Sequence, residues 1–290
     1  MVWVSTRWKI LLMLAPTLIV FTMFVIYPLV YSGMFSFTKF QGFGNPSWIG
    51  FDNYVGLFTD PFFWQALQNT VVILVVSIAI LIPAAFALAL LLRRAIPAGG
   101  VLRALVFGPA IIAPILVGLI WVFILDPKIG LLNRVLGDLG IPSLQWIGGN
   151  YLTPISVSAV FIWSSVGFAM TIFYAGLQLL PADVMEASSL DGATGWQQLR
   201  FVTIPMMRET FAIVTILMIT NVFKIFELVY MLTGGGPVHR SETLVSYMYF
   251  ITFTNQQYGY GMALAVVITV LGAIISVGYL AAVRRKEAKA

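Results

Sequence analysis

Six apolar stretches, each close to the length of a bilayer-crossing helix, run through the chain: Ile10 to Tyr31, Val71 to Leu92, Leu105 to Leu125, Ile155 to Leu177, Phe211 to Leu232 and Met262 to Val283. A helix crossing hydrocarbon needs ~20 consecutive apolar residues, because each backbone N–H and C=O must find its partner within the segment. Six such windows in 290 residues leave no room for a soluble core. The composition agrees. With 60% hydrophobic residues, 9% charged and a mean hydropathy of +0.97, the chain has too few charges to cover a soluble globule of this size. It reads as an all-α membrane protein with six transmembrane helices. No repeat or low-complexity tract divides it, so residues 1–290 are taken as one domain. The first window follows Arg7 and Lys9, but it is longer than a signal-peptide core and no small-residue cleavage site closes it, so it reads as a retained helix.

Lysine and arginine near helix ends are held on the cytoplasmic side, which orients the chain. With the N-terminus inside, the inner segments carry Arg7, Lys9, Arg93, Arg94, Arg103, Arg200, Arg208, Arg284, Arg285, Lys286 and Lys289. The outer segments carry Lys39, Lys128, Arg134 and Arg240. This bias gives an N-in/C-in topology, as an even number of spans requires. Trp48, Tyr54, Trp64 and Trp146 suit the outer interfacial belt, and Trp3 and Trp8 the inner one. The net charge of +5 reflects topology and gives no reason to invoke nucleic acid. The absence of cysteine excludes disulfides, thiolate metal sites and thiol nucleophiles. No histidine–glutamate constellation and no Gly-x-Ser-x-Gly elbow supports an intramembrane enzyme.

The longest inner loop, residues 178–210, holds the polar segment EASSLDGATGWQQLRFVTIP, Glu186 to Pro205. Pro181 suits the first turn of a helix, and Asp183 and Glu186 suit its positive end. Val184, Ala187 and Leu190 share one face. Gly192 suits the positive-φ position that ends such a helix. Thr194 and Gln197 have capping-box spacing, and Pro205 is expected to end the second helix. The result is a helix, a sharp turn and a helix, too small to bury its own apolar face. It must lie on lipid headgroups or against another protein. The acidic front of Asp183, Glu186 and Asp191 favours a protein, because cytoplasmic leaflets are anionic.

This segment resembles the EAA loop of binding-protein-dependent ABC importer permeases. Glu186, Ala187 and Ser188, then Gly192, then Val202, Ile204 and Pro205 follow its pattern, with Ser188, Val202 and Ile204 as small departures. Further stretches are similar to the carbohydrate-uptake branch: GFDNYVGLFTDPFFWQALQNT (Gly50 to Thr70), FYAGLQLLPADVMEASSLDGA (Phe173 to Ala193), KIFELVYMLTGGGP (Lys224 to Pro237) and YGYGMALAVV (Tyr258 to Val267). The resemblance implies a type I ABC importer permease fold of the MetI kind in a bacterial or archaeal plasma membrane. It implies that the first short helix seats in a cleft of a separate ATPase. Glu186 would make the electrostatic contact there, Ala187 and Ser188 the close-packed face and Gly192 the turn, with Asp183, Leu190 and Asp191 beside them. Implied partners are an ATPase dimer, a second permease subunit expected to be a different chain, an extracytoplasmic solute-binding protein and a sugar or oligosaccharide. No cofactor is expected on this chain. It has no Gly-Lys phosphate loop, so ATP and Mg²⁺ would sit on the ATPase.

Ionisable residues inside spans are costly. Lys224 and Glu227, at i, i+3 on one expected helix, either neutralise each other as an internal ion pair or border a water-filled cavity. Asn221 adds an amide, and Trp163, Ser164, Ser165 and Phe168 add stacking and hydroxyl groups that a sugar uses. The expected solute pathway is therefore Trp163, Ser165, Phe168, Asn221 and Lys224, bordered by Glu227. The run Thr233 to Pro237 reads as a helix stop, and His239 as a loop residue without chemistry. Other cargo, such as glycerol phosphate or a polyamine, and an ion-gradient-driven transporter stay open as alternatives.

Overall fold

The computed structural model describes residues 7–93, 97–149, 152–236 and 239–287. Trp3, Arg94, Pro237 and Lys289, and the side chains of Arg7, Arg284 and Lys286, fall outside that description. Among the described residues, four helices are long and apolar enough to cross a membrane, or up to six if each of two bent pairs, Gly99–Ile111 with Pro114–Leu125 and Gly195–Met206 with Arg208–Phe223, counts as one span. Contacts divide the chain into two units, residues 1–60 with 248–269 and residues 61–247 with 270–290.

In the first unit, helix α1 (Trp8–Phe35) carries a widened π turn at Thr22–Ile26. It leads into two short antiparallel strands, β1 (Thr38–Lys39) and β2 (Ser47–Trp48), and then α2 (Asp52–Thr59). Asn53 ties this corner together. Its buried amide donates to the carbonyls of Ser36 and Thr38 at 2.8 and 2.9 Å, and the Phe37 ring packs among Trp48, Phe51 and Tyr54. The later segment of the unit joins through the Gly259 N–H, which donates to the Phe40 carbonyl, and through the Tyr260 hydroxyl, which donates to Asp60.

The second unit is built on α3 (Pro61–Arg93) and α7 (Leu152–Gln178), which pack extensively on each other. Between them run α4 (Gly99–Phe107), a 3₁₀ turn (Gly108–Ile111), α5 (Pro114–Leu125) and α6 (Leu131–Asp138). After α7 come α8 (Ala182–Leu190), α9 (Gly195–Met206), α10 (Arg208–Phe223) and α11 (Glu227–Thr233). Helices α12 (Leu244–Thr254) and α13 (Tyr258–Glu287) are divided between the units. Lipid tails are as apolar as leucine, so helices in a membrane are held by close packing more than by exclusion of water. Phe86, Phe173 and Phe211 accordingly form a three-ring cluster joining α3, α7 and α10, with centroids 4.7 to 5.4 Å apart. At Gly167, α7 lies so close to the end of α4 that a Cβ would fall on the Val106 carbonyl oxygen and 2.7 Å from Phe107 Cα.

Two expected spans are not continuous helices. The Leu105 to Leu125 window breaks at Gly108–Ala113, with a 97° bend between its halves. Pro109 offers no N–H to continue α4, and Pro114 pushes Ala113 to extended backbone (φ −57°, ψ 136°). The Phe211 to Leu232 window breaks at Lys224–Phe226, where no proline or glycine stands. Instead Lys224 caps the negative C-terminal end of α10, and Glu227 opens the positive N-terminal end of α11. Each charge complements the helix end it occupies.

The segment from Asp126 to Gly149 is organised by Asn133. Its amide donates to the carbonyls of Pro127 and Leu144, and its oxygen accepts from the Leu144 N–H and the Trp146 indole. Asp126 accepts the backbone N–H groups of Ile129 and Lys128, which hold its carboxyl below the usual carboxylate range.

Candidate functional sites: a two-helix elbow and a cavity between helix breaks

The elbow α8–α9 follows from its residues. Pro181 sits one position earlier than expected, at the N-cap (φ −60°, ψ 130°), so α8 begins at Ala182, with Asp183 in its first turn. Gly192 closes the helix at φ +79°. The Gly192 N–H donates to Ser189 O and the Ala193 N–H to Ser188 O, the paired bonds of a Schellman stop. Thr194 and Gln197 then form a complete capping box at the start of α9. Pro205 does not end that helix, which runs to Met206 through a π turn at Leu199–Thr203. Of the three π turns among the described residues, this one and that in α1 end two residues before a proline, Pro205 and Pro28, whose missing N–H and bulky ring widen the turn behind them, while the third, Phe250–Thr254 in α12, precedes no proline.

The apolar face of α8 has no cover among the described residues. Leu190 is 89% exposed and Val184 37%, and Ala187 stands open beside them. Asp183, Glu186 and Asp191 are exposed on the same small element. Ser188 departs from its expected place. It is buried, and its hydroxyl accepts from the Gln198 amide at 2.8 Å while donating to Met185 O. Gln198 donates its other amide hydrogen to Met185 O at 2.9 Å. Ser188 therefore faces inward and locks α8 to α9, so the outward surface is left to Val184, Glu186, Ala187, Leu190 and Asp191. Gln198 is a residue the sequence reading missed. Its position one turn into a capped helix carries no signal until Ser188 is placed against it.

The second site is a cavity of about 320 Å³ inside the second unit. Its walls are the 3₁₀ break (Pro109, Ala110, Ile112, Pro114), one face of α7 (Phe161, Ser164, Ser165), and the α10–α11 break with its flanks (Asn221, Lys224, Ile225, Glu227, Leu228). Of the expected pathway residues, Ser165, Asn221, Lys224 and Glu227 meet on this one cavity. Trp163 and Phe168 do not line it. The Trp163 ring meets Trp121 edge to face at 5.4 Å, and Phe168 is exposed elsewhere on α7. Helix periodicity explains Trp163, which lies on the opposite side of α7 from positions 161, 164 and 165, whereas Phe168 shares their face one turn further along, beyond the residues that line the cavity. Lys224 and Glu227 form no ion pair. The break removes the continuous turn that would have brought them together, and each faces the cavity from a different helix end. At the break, the Lys224 and Ile225 N–H groups bond back three residues to Asn221 and Val222.

The Thr233 to Gly236 stretch behaves as a helix stop, with Gly234 at φ +56° capping α11. His239 has more to do than the sequence indicated. Its Nδ1 lies 3.0 Å from Glu242 Oε1, and its ring meets Phe62 and Tyr247 edge to face. Burial pushes the Glu242 carboxyl above its ordinary value, with the His239 contact opposing.

Comparison with known proteins agrees with this geometry. Residues 82–288 match the family described as binding-protein-dependent transport system inner membrane component. The chain is 35% identical over 275 residues to the probable ABC transporter permease protein YurN of Bacillus subtilis, covering 91% of this chain and 92% of the relative. It is 30% identical over 292 residues to the sulfoquinovosyl glycerol transport system permease protein SmoG of Agrobacterium fabrum, covering 97% and 94%. In fold it superposes on a chain from the crystal structure of a bacterial alginate ABC transporter in complex with alginate pentasaccharide-bound periplasmic protein. The TM-score is 0.83 at 23% identity, covering 96% of this chain and 94% of that one. A chain of apolar helices, two of its expected spans broken around one cavity, with a capped polar elbow between α7 and α10, thus belongs to the binding-protein-dependent ABC transporter permeases, multi-pass membrane subunits that serve transport.

Proposed function

We propose that this protein is a permease subunit of an ATP-driven importer for a sugar or oligosaccharide, delivered by an extracytoplasmic solute-binding protein. The observation that carries the reading is that both helix breaks border the same cavity. Non-helical backbone at membrane depth persists only where protein or a water-filled cavity satisfies it, and transporters build solute sites from such discontinuous helices. The walls supply the Ser164 and Ser165 hydroxyls, the Asn221 amide, and one charge of each sign at Lys224 and Glu227. The hydroxyls and the amide suit hydroxyl-rich cargo. A polyamine would call for surplus carboxylates and a phosphate ester for surplus cations. The Agrobacterium relative, named for sulfoquinovosyl glycerol transport, supports a glycosyl cargo.

In this reading α4–α5 and α10–α11 each make one crossing, giving six spans in one permease domain, N-in and C-in, in a bacterial or archaeal plasma membrane. The elbow α8–α9 lies in the cytoplasm. Its open face of Val184, Ala187 and Leu190, flanked by Glu186, docks an ATPase subunit that holds ATP and Mg²⁺. Closure of the ATPase pair moves the elbow as a lever and turns the cavity outward, and hydrolysis resets it. A second permease subunit, expected to be a different chain, completes the pathway. The test is purification from native membranes in mild detergent. An ATPase should accompany the wild type and be lost from Glu186→Arg, while the α-helical content of both stays equal. A well-folded wild type that brings no ATPase with it overturns the reading.

A further inference from the structure

We propose that Thr243 is a positioning residue that holds the α10–α11 break open and so fixes the shape of the cavity, an inference that rests on the transport reading of that cavity. Breaking a helix releases backbone groups that need new partners. In an unbroken helix the Ile225 carbonyl would accept the N–H four residues on. Here it accepts the Thr243 hydroxyl at 3.1 Å, from a residue eighteen positions later, and both partners are buried. Ile225 itself lines the cavity, between Lys224 and Glu227.

Thr243 is in turn anchored from three sides. Its N–H donates to Ser246 Oγ at 2.8 Å. The Leu244 N–H donates to Thr70 Oγ1 on α3 at 3.1 Å. Asn69, one residue before Thr70, donates both amide hydrogens to the carbonyls of Arg240 and Glu242, at 2.8 and 2.9 Å. The segment 240–244 is thus fixed to α3, and one hydroxyl passes that fixation to the wall of the cavity. Removing the hydroxyl frees the Ile225 carbonyl to re-form the helical turn. The Glu227 side of the break then re-aims, while Asn221, still within α10, stays where it is.

The chain contains no cysteine, so single cysteines report cleanly. Glu227→Cys and Asn221→Cys are each placed in wild-type, Thr243→Ser and Thr243→Val backgrounds. The full chain, purified with its native associates, is labelled with a water-soluble methanethiosulfonate cation. The expected result is that Thr243→Val slows labelling at Glu227→Cys about fivefold relative to Asn221→Cys, or ~1 kcal/mol at 1.4 kcal/mol per tenfold. Thr243→Ser should retain the wild-type ratio. An unchanged ratio in Thr243→Val, or an equal change at both cysteines, overturns the proposal. If Thr243→Val does not accumulate, Thr243→Ala carries the same test. Failure of both to accumulate while Thr243→Ser does also counts against it, because the hydroxyl would then be needed for folding. The transport reading is judged separately in the same samples, by whether ATP with vanadate alters labelling in the wild type.

Discussion

Gly192 offers the cleanest quantitative test of the elbow. Its φ of +79° lies in the left-handed region, and nothing stands within 4 Å of where a Cβ would project. The cost of Gly192→Ala is therefore conformational and not steric. An L-residue pays ~1 to 2 kcal/mol there. If the ATPase docks only to the bent elbow, the whole penalty appears in affinity, weakening docking by about 5- to 30-fold. Gly192→Asn should recover most of the loss, because asparagine tolerates this region. The assay is a titration of the co-purified ATPase onto immobilised permease in nanodiscs, with hydrogen exchange at the Ala193 amide, which bonds to Ser188 O, as an independent measure of the turn. Exchange at that amide should rise by a similar factor. Unchanged affinity in Gly192→Ala, or Gly192→Asn weaker than Gly192→Ala, would refute the argument that the left-handed turn sets the docking geometry.

Gln198→Ala should loosen the elbow by ~1 to 2 kcal/mol, the worth of two amide hydrogen bonds, read as faster proteolysis in the 191–194 turn. Gln198→Glu should be no better, since a carboxylate cannot donate to Met185 O. Gly167→Ala places a methyl against the Val106 carbonyl and the Phe107 backbone, and overpacking of that kind costs ~1 to 3 kcal/mol. A lowered melting temperature in detergent checks it, and an unchanged one denies the close approach of α7 and α4. Glu242 carries a carboxyl raised in the folded protein above its ordinary value of 4.5, chiefly by burial, with His239 opposing. A raised folded-state carboxyl stabilises below 4.5, and that contribution is lost as pH climbs through the raised value. Relative to Glu242→Gln, wild-type melting should therefore fall as pH rises upward from 4.5, and parallel curves would contradict the assignment.

Much of this protein was legible from residue order because membranes simplify the problem. Hydrocarbon forces long apolar runs into helices, so the existence of the spans follows from composition along the chain. The elbow was also readable, since the Gly192 stop and the Thr194–Gln197 box are local devices that bond within a few residues. The EAA-like pattern pointed to the family for the same reason.

What tertiary structure decided are the matters that local patterns do not encode. Pro109 and Pro114 could have been read as a break in the third window, but the interruption at Lys224–Phe226 has no breaker residue. It exists because two charges cap two helix ends and because Thr243, far along the chain, takes the Ile225 carbonyl. Which aromatic residues face the cavity depended on the rotation and length of α7 along its packing on α3 and at Gly167, so Trp163 was turned to the opposite side and Phe168 fell a turn beyond the cavity wall. Ser188 looked like part of an outward face until Gln198 was brought against it. The sequence determined that the chain crosses a membrane and presents a capped polar elbow, because those follow from solvent and near-neighbour backbone chemistry. The tertiary structure alone decided where the helices break and which side chains share the cavity, because released carbonyls and close-packed faces find their partners across long distances in sequence.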